Sequence, residues 1–164
     1  IMPFRHTDKG WFWGSKGPFK TKAKALQVAR AAYASGYKEE STMDKSVIGE
    51  FVGTLLHSAT ITHFMHLKTR SYAQHVALGS YYDEIVDLVD GLAEAIQGCY
   101  GELIEDYPTA FGNTGAEPLA YLVSLKTFVE NARDKLPLES NIQNEIDAIA
   151  TLIDSTIYKL KFLA

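Results

Sequence analysis

The chain has few of the residues that would place it in several common protein classes. Cys99 is the only cysteine among 164 residues, which excludes a disulfide within the chain and favours a reducing compartment. No run of 18 apolar residues occurs, so we expect no transmembrane helix. The first residues lack the charged-then-apolar order of a secretion signal. These absences predict a cytoplasmic protein without a membrane partner.

Positive charge is scarce in most of the chain and concentrated at its start. Residues 1–40 contain eight Lys or Arg and three Asp or Glu, a balance of +5, whereas residues 41–164 contain eight and seventeen, a balance of −9. Both tryptophans, Trp11 and Trp13, also lie in the first part. The shift predicts an aromatic and basic arm or lid over 1–40 and a helical body over 41–164.

The first part has strand, turn and helix signals in that order. Trp11 to Trp13 have strand propensity, the Gly-Ser-Lys-Gly-Pro run from 14 to 18 is turn chemistry, and Thr21 begins a helix over 22–35 that Gly36 ends. One interpretation is a small lid that docks through its aromatics. The other is a nucleic-acid contact, made by Lys16, Lys20, Lys22, Lys24 and Arg30.

The second part predicts four long amphipathic helices, over 42–68, 72–98, 118–135 and 140–162. Apolar residues recur at spacings of three and four in each, which is typical of one buried face. Ser41 with Asp44 and Ser140 with Gln143 resemble capping boxes, and Pro118 suits a first helical turn. The link over 106–116 is long enough to cross from one end of a bundle to the other. The layout predicts an all-α, ferritin-like four-helix bundle, preceded by a small extended segment plus helix.

Histidines and carboxylates align on two successive helices. His63 and His66 are three residues apart, His75 begins the next helix, and Asp90 and Glu94 follow one turn apart, with Asp83 on the same side. Histidine and carboxylate ligands together suit a divalent metal such as iron(II). The alternatives are a solvated acidic face and surface histidines.

The spacing of these residues resembles that of the Dps-type mini-ferritins, the DNA-binding proteins from starved cells. That family has a histidine, a second histidine 12 residues later, an aspartate 15 residues further, and a glutamate four residues on within Asp-x-x-Ala-Glu. His63, His75, Asp90 and Glu94 stand at those positions. The likeness covers residues 45–105 well, and the remaining helices match by layout.

The resemblance implies a site shared between two subunits. His63 and His75 would come from one subunit and Asp90 and Glu94 from its mate, in a twelve-subunit shell that oxidises iron(II) and stores iron. Iron is the implied cofactor, with zinc as the other candidate. Many members bind DNA through basic tails, a part that residues 1–40 would play here.

Three departures from the family pattern lead to a second hypothesis. Gly79 replaces the aspartate found four residues after the second histidine, Phe64 replaces a tryptophan, and the short helix between the middle helices is shortened or gone. The ligand role would then pass to Asp83 or His66, or the chemistry would be lost. The alternative is a non-enzymatic helical-bundle protein, either a phage structural protein or one that binds DNA or another partner.

A second resemblance concerns the first part of the chain alone. The run Trp-Phe-Trp-Gly-Ser-Lys-Gly-Pro-Phe at 11–19, before Ala-Ala-Tyr-Ala-Ser-Gly-Tyr at 31–37, resembles a short module of tailed-phage proteins. It implies a viral origin, and hence the host cytoplasm or the virion as the location, but no chemistry.

Overall fold

The structure, a computed structural model, describes residues 4–13, 16–34, 44–110 and 115–164. The chain forms two compact units, Ile1–Thr42 and Met43–Ala164. We call them the basic unit and the bundle, and describe each by itself. The predicted Gly36 helix end and the predicted Ser41 cap lie outside the described residues.

The basic unit contains a three-stranded antiparallel sheet where the sequence predicted a single extended piece. Its strands are β1 (Phe4–Thr7), β2 (Gly10–Trp13) and β3 (Lys16–Phe19), in the order β1-β2-β3. Helix α1 (Lys22–Ala34) follows, and the Thr21 hydroxyl accepts a hydrogen bond from the Lys24 N–H, as a helix cap does. The all-α prediction therefore missed this sheet, because its strands are only four residues long.

One face of the sheet packs against α1. Trp13 is 1% exposed, and Ala25 and Ala29 of α1 are also buried. The Lys22 ammonium lies 5.4 Å from the centre of the Trp11 ring. Because alternate strand residues point to opposite faces, Trp11 and Trp13 face the helix and Phe12 points the other way.

The bundle consists of α2 (Lys45–Lys68), α3 (Tyr72–Tyr100), α4 (Pro118–Ala132) and α5 (Ser140–Phe162), with a 3-10 turn at Arg133–Lys135. Side chains cap two of these helices: Asp44 accepts from the Val47 N–H, and Ser71 accepts from the Gln74 N–H. Gly101 ends α3 in the left-handed conformation, with φ of +68°. None of the described helices is both long and apolar enough to span a membrane.

The predicted cap at Ser140 is wrong in its detail. Ser140 is the first residue of α5, the preceding Glu139 is at the cap position, and no side chain caps this helix. The Gln143 amide instead donates to the Pro137 carbonyl at 2.7 Å. The interaction that ties the start of α5 to the preceding turn thus comes from Gln143 rather than from a serine cap.

The four helices of the bundle share one hydrophobic core. Helix α3 packs against α2 and α5, while α4 packs against α2 and α5. Aliphatic side chains such as Leu55, Leu78 and Ile146 are fully buried. The core also holds a polar pair, since the Tyr81 hydroxyl lies 2.8 Å from the Ser58 hydroxyl, which donates to the Leu55 carbonyl at 2.6 Å.

The described ends of the connection between α3 and α4, residues 102–110 and 115–117, lie beside opposite ends of α2. Near the start of the connection, the Asp106 carbonyl lies where a Cβ on Gly49 would stand, and one turn further Pro108 lies against Gly53. Its other end, at Ala116 to Pro118, borders a cavity with Met65 and Lys68, at the end of α2. Helix α4 therefore begins at the end of the bundle where α2 finishes, so the two run antiparallel.

Candidate metal centre

Three imidazoles lie together where α2 meets α3. Only three residues separate these antiparallel helices, so the last turns of α2 lie beside the first turns of α3. The His66 and His75 rings are stacked, with centroids 3.7 Å apart and planes 23° apart. The His63 ring is 5.9 Å from that of His66. We call His63, His66 and His75 the imidazole cluster.

Backbone carbonyls orient two of these rings. His66 Nδ1 donates to the His75 carbonyl at 2.8 Å, and His75 Nδ1 donates to the His66 carbonyl at 3.2 Å. Because a carbonyl can only accept, each Nδ1 carries the proton, and the lone pair of the neutral ring lies on Nε2. Metal-binding histidines are commonly held in this way, by a hydrogen bond from the nitrogen that does not bind the metal.

Tyr82 and Gly79 complete the surroundings of the cluster. The Tyr82 ring stacks on His63 at 4.2 Å and meets His66 edge-on at 5.2 Å. A Cβ on Gly79 would stand 3.4 Å from His66 Cε1. No pattern in the sequence singled out Tyr82 as a site residue, although its position seven residues after His75 places both on one side of α3. The His66 ring therefore lies beside the position that a side chain at residue 79 would occupy.

The predicted carboxylates lie elsewhere on the same chain. Asp90 and Glu94 are exposed on α3, 15 and 19 residues beyond His75, which corresponds to roughly 22 and 28 Å along the helix axis. Asp83 is also exposed, about 12 Å beyond His75 by the same rise. One chain thus brings the histidines together, with His66 among them, and leaves the acids apart.

The described part of a single chain forms no complete metal site. Among these residues, no group of three or more His, Cys, Asp or Glu side chains is arranged to hold an ion. The stacking of His66 on His75 is one reason, because two parallel rings cannot both direct an in-plane lone pair at one point. An ion bound here would take a nitrogen from one ring of the stacked pair and would need ligands from outside the described part of this chain.

A separate cavity of about 380 Å³ lies between α2, α4 and the connection that precedes α4. Glu50, His57 and Tyr121 are among its lining residues, so His57 is remote from the imidazole cluster. Burial raises the pKa of Tyr121 to about 12. The walls of the cavity are mostly apolar, and no pattern in the sequence predicted it.

The lysines and the arginine predicted to contact nucleic acid belong to the basic unit. The Lys16 ammonium lies 5.4 Å from the centre of the Trp13 ring, and that of Lys24 donates to the Gln27 side chain at 3.0 Å. Lys20 and Arg30 are exposed. Together with Lys22 over Trp11, they lie on α1 or at the ends of strands rather than in one row.

Comparison with known proteins places the bundle in a family. Residues 66–160 match the model of a family of unknown function, DUF5856, and the chain belongs to this family. The match includes His66, His75, Asp90 and Glu94 but excludes His63 and the basic unit. No curated protein and no solved structure matches the chain.

Proposed function

We propose that the bundle is a ferritin-like protein that binds a divalent metal ion, iron or zinc, between two copies of the chain. His63, with His66 or His75, would supply the nitrogen ligands. Asp90 and Glu94 of a second copy would supply the oxygen ligands, as the resemblance to the mini-ferritins implies. The observation that carries the proposal is the imidazole cluster, whose His66 and His75 rings are oriented by backbone carbonyls.

The ligand chemistry supports iron and zinc over magnesium and calcium. Neutral imidazole nitrogens suit divalent transition metals and zinc, whereas magnesium and calcium prefer oxygen ligands. No hydrogen bond to a described residue engages Nε2 of His66 or His75. The position of the connection's two ends beside opposite ends of α2 further supports a ferritin-like bundle, since one long crossover is a feature of such folds. Bound iron would supply one-electron oxidation chemistry.

Metal binding by purified protein tests the proposal. We expect the double variant His63→Ala/His75→Ala to bind Zn²⁺ and anaerobic Fe²⁺ at least about tenfold more weakly, the scale at which changes to metal sites act. The control is His6→Ala, which removes an exposed histidine from the basic unit. Equal affinities for wild type and double variant, by isothermal titration calorimetry, would contradict the assignment of these ligands.

The acid pair of the second copy has its own test. Asp90→Asn with Glu94→Gln should weaken metal binding while leaving the imidazole cluster intact, because these side chains are exposed in the single chain. Glu84→Gln is the control, an exposed carboxylate on the same helix. A solution mass near twelve copies of 18.2 kDa is expected for a mini-ferritin shell. A monomer at all concentrations would contradict a site shared between copies.

The second candidate function is a bundle that lacks oxidase activity, and Gly79 favours it. The aspartate that the mini-ferritins have at this position would add a negative ligand for iron(III). In this chain the His66 ring lies beside the glycine instead. We expect wild type to oxidise Fe²⁺ slowly or not at all with peroxide, and Gly79→Asp to increase the rate. The control is Gly79→Asn, which adds similar bulk without charge. Rapid oxidation by wild type would reject this second candidate.

A further inference from the structure

The cavity between α2 and α4 is bounded by one face of each helix. Glu50 and Thr54 are one turn apart on α2, and Ser124 and Phe128 are one turn apart on α4, which places each pair on one side of its helix. Thr54 and Ser124 are small residues, and the space between the two helices amounts to about 380 Å³. Cavities of about 300–1,000 Å³ with mostly apolar walls are typical of small-molecule sites.

One part of the cavity combines a negative charge with an aromatic ring. Glu50 is the only Asp, Glu, Lys or Arg among the described lining residues. Phe128 lies beside it, since both residues also line a neighbouring cavity of about 140 Å³. Phe51 stacks on Phe128 with ring centroids 5.8 Å apart, which holds the Phe128 ring in place. A carboxylate and an aromatic ring both attract an organic cation.

No described residue neutralises the charge of Glu50. Its side chain is exposed, and none of the ion pairs between described residues includes it. Lys135 lines the neighbouring cavity, yet these two described residues form no ion pair. Residues 43–164 contain eight Lys or Arg and seventeen Asp or Glu, so the charge of the whole bundle also favours a cation over an anion.

We propose that this cavity binds a small organic monocation with an aromatic body, whose ammonium group lies at Glu50 and whose ring lies between Thr54 and Ser124. A cavity of about 150 Å³ can hold benzene, so this one would hold a ligand of roughly 12 to 15 non-hydrogen atoms by the same scale. The Tyr121 hydroxyl stays protonated at neutral pH, because burial raises its pKa to about 12, and it offers a neutral hydrogen-bonding group. The proposal is independent of the metal site, with which it shares no residue.

Isothermal titration calorimetry of the full chain with three matched probes tests the proposal. Tryptamine carries an ammonium group, tryptophol replaces that group with a neutral hydroxyl, and indole-3-acetate carries a carboxylate. We expect tryptamine to bind with a Kd of about 1 mM or lower, and tryptophol to bind about fivefold more weakly. Indole-3-acetate should bind more weakly still, because its charge has the same sign as that of Glu50.

Glu50→Gln tests the charge at the cavity. It should weaken tryptamine binding by about fivefold and leave tryptophol binding unchanged, because the variant removes the charge and keeps the size of the side chain. The control is Glu84→Gln, which removes an exposed carboxylate from α3, outside the cavity, and should change neither affinity.

Ser124→Leu tests the location. The larger side chain would occupy the cavity and should weaken tryptamine and tryptophol binding by about tenfold or more. The matched control is Thr127→Leu, because Thr127 is also exposed on α4 and its hydroxyl likewise donates to the carbonyl four residues earlier. Thr54→Leu fills the cavity from α2 and provides a second variant. Thermal melts followed by circular dichroism show which variants remain folded.

The outcomes separate the alternatives. Tryptamine binding that is weakened by Glu50→Gln and by a folded cavity-filling variant would support the proposal. Equal affinities for tryptamine and indole-3-acetate would overturn the preference for a cation, and binding that both Ser124→Leu and Thr54→Leu leave unchanged would place the ligand elsewhere. Absence of tryptamine binding at millimolar concentrations would overturn the proposal outright. None of these results bears on metal binding, which the double histidine variant tests.

Discussion

The basic unit and the bundle are stabilised in opposite ways. Among the described residues of the basic unit, the buried apolar side chains are Trp13, Ala25 and Ala29, so one large aromatic supplies most of the described core. In the bundle, the core is formed by many buried aliphatic side chains from four helices. The fraction of surface that folding buries rises with chain length, so the short unit depends on one residue, whereas the bundle spreads its stability over many.

Trp13→Ala is expected to have the largest effect, which is the unfolding of the basic unit. Replacing a buried tryptophan with alanine costs about 3–5 kcal/mol, while a 42-residue unit has a total stability of only about 2–6 kcal/mol at typical values per residue. We therefore expect the basic unit to unfold and the bundle to remain folded. Both tryptophans lie in the basic unit, so the remaining Trp11 fluorescence reports on it alone, and helical circular dichroism reports mainly on the bundle.

The matched change in the bundle is Leu78→Ala, at a fully buried position of α3. It should cost about 2–5 kcal/mol, which lowers the melting temperature of a 122-residue unit without unfolding it, because that unit has a total stability of roughly 6–18 kcal/mol. If the basic unit of Trp13→Ala resists protease as well as that of wild type, the idea of a core that depends on one residue is wrong.

Two helical glycines of the bundle differ in their surroundings. A Cβ on Gly49 would overlap the Asp106 carbonyl, whereas a Cβ on Gly98 would meet nothing within 4 Å. Gly49→Ala should therefore lower the free energy of unfolding by about 1–3 kcal/mol, the usual effect of overpacking. Gly98→Ala should raise it by up to about 1 kcal/mol, since alanine favours the helix.

Urea denaturation followed by circular dichroism measures both glycine variants. Their opposite signs make each the control for the other, because the chemical change is identical and only the surroundings differ. Two losses of similar size would mean that the connection does not lie against α2 as described.

The last expected effect appears only at high pH, and at neutral pH it is absent. Burial raises the pKa of Tyr121 from about 10 to about 12, so the folded bundle keeps this phenolic proton at pH values where the unfolded chain has lost it. Its contribution to stability is therefore complete below pH 10 and is lost as the pH rises from 10 through 12. Burial also raises the pKa of Tyr81, which adds to the loss.

Tyr121→Phe isolates the contribution of Tyr121. The free energy of unfolding of the variant should fall less steeply above pH 10 than that of wild type, and the two curves should run parallel below it. Identical slopes above pH 10 would show that the Tyr121 hydroxyl is not protected from ionisation in the folded state. The fluorescence of the basic unit, recorded in the same titration, shows whether that unit unfolds separately.

Helices were easier to predict than the contacts between them. The spacing of apolar residues placed the helices over 72–98 and 140–162 to within two residues of α3 and α5, because periodicity reports directly on burial. The prediction that Ser140 caps α5 was wrong because serine also occurs at the first position of a helix. The sheet was missed because each strand offers only four residues, too few for a clear alternation.

The candidate metal centre was predicted only in part. The sequence spacing singled out His63 and His75 and offered His66 as a substitute. The stacking of His66 on His75 and the contact with Tyr82 depend on the angle and separation of two helices. The spacing of residues within one helix does not determine that angle or that separation. The roles of Asp90 and Glu94 stay a prediction, since they require a second copy of the chain.

The sequence by itself determined the helical character of the bundle, the basic character of the first unit and the alignment of histidines and acids, because these depend on residue type and on periodicity along one element. Only the tertiary structure decided that the chain before α4 passes over Gly49 and Gly53, that two imidazoles stack, and that Phe12 lies on the sheet face opposite α1. These features arise from how close two elements approach each other, and that distance results from packing the whole core.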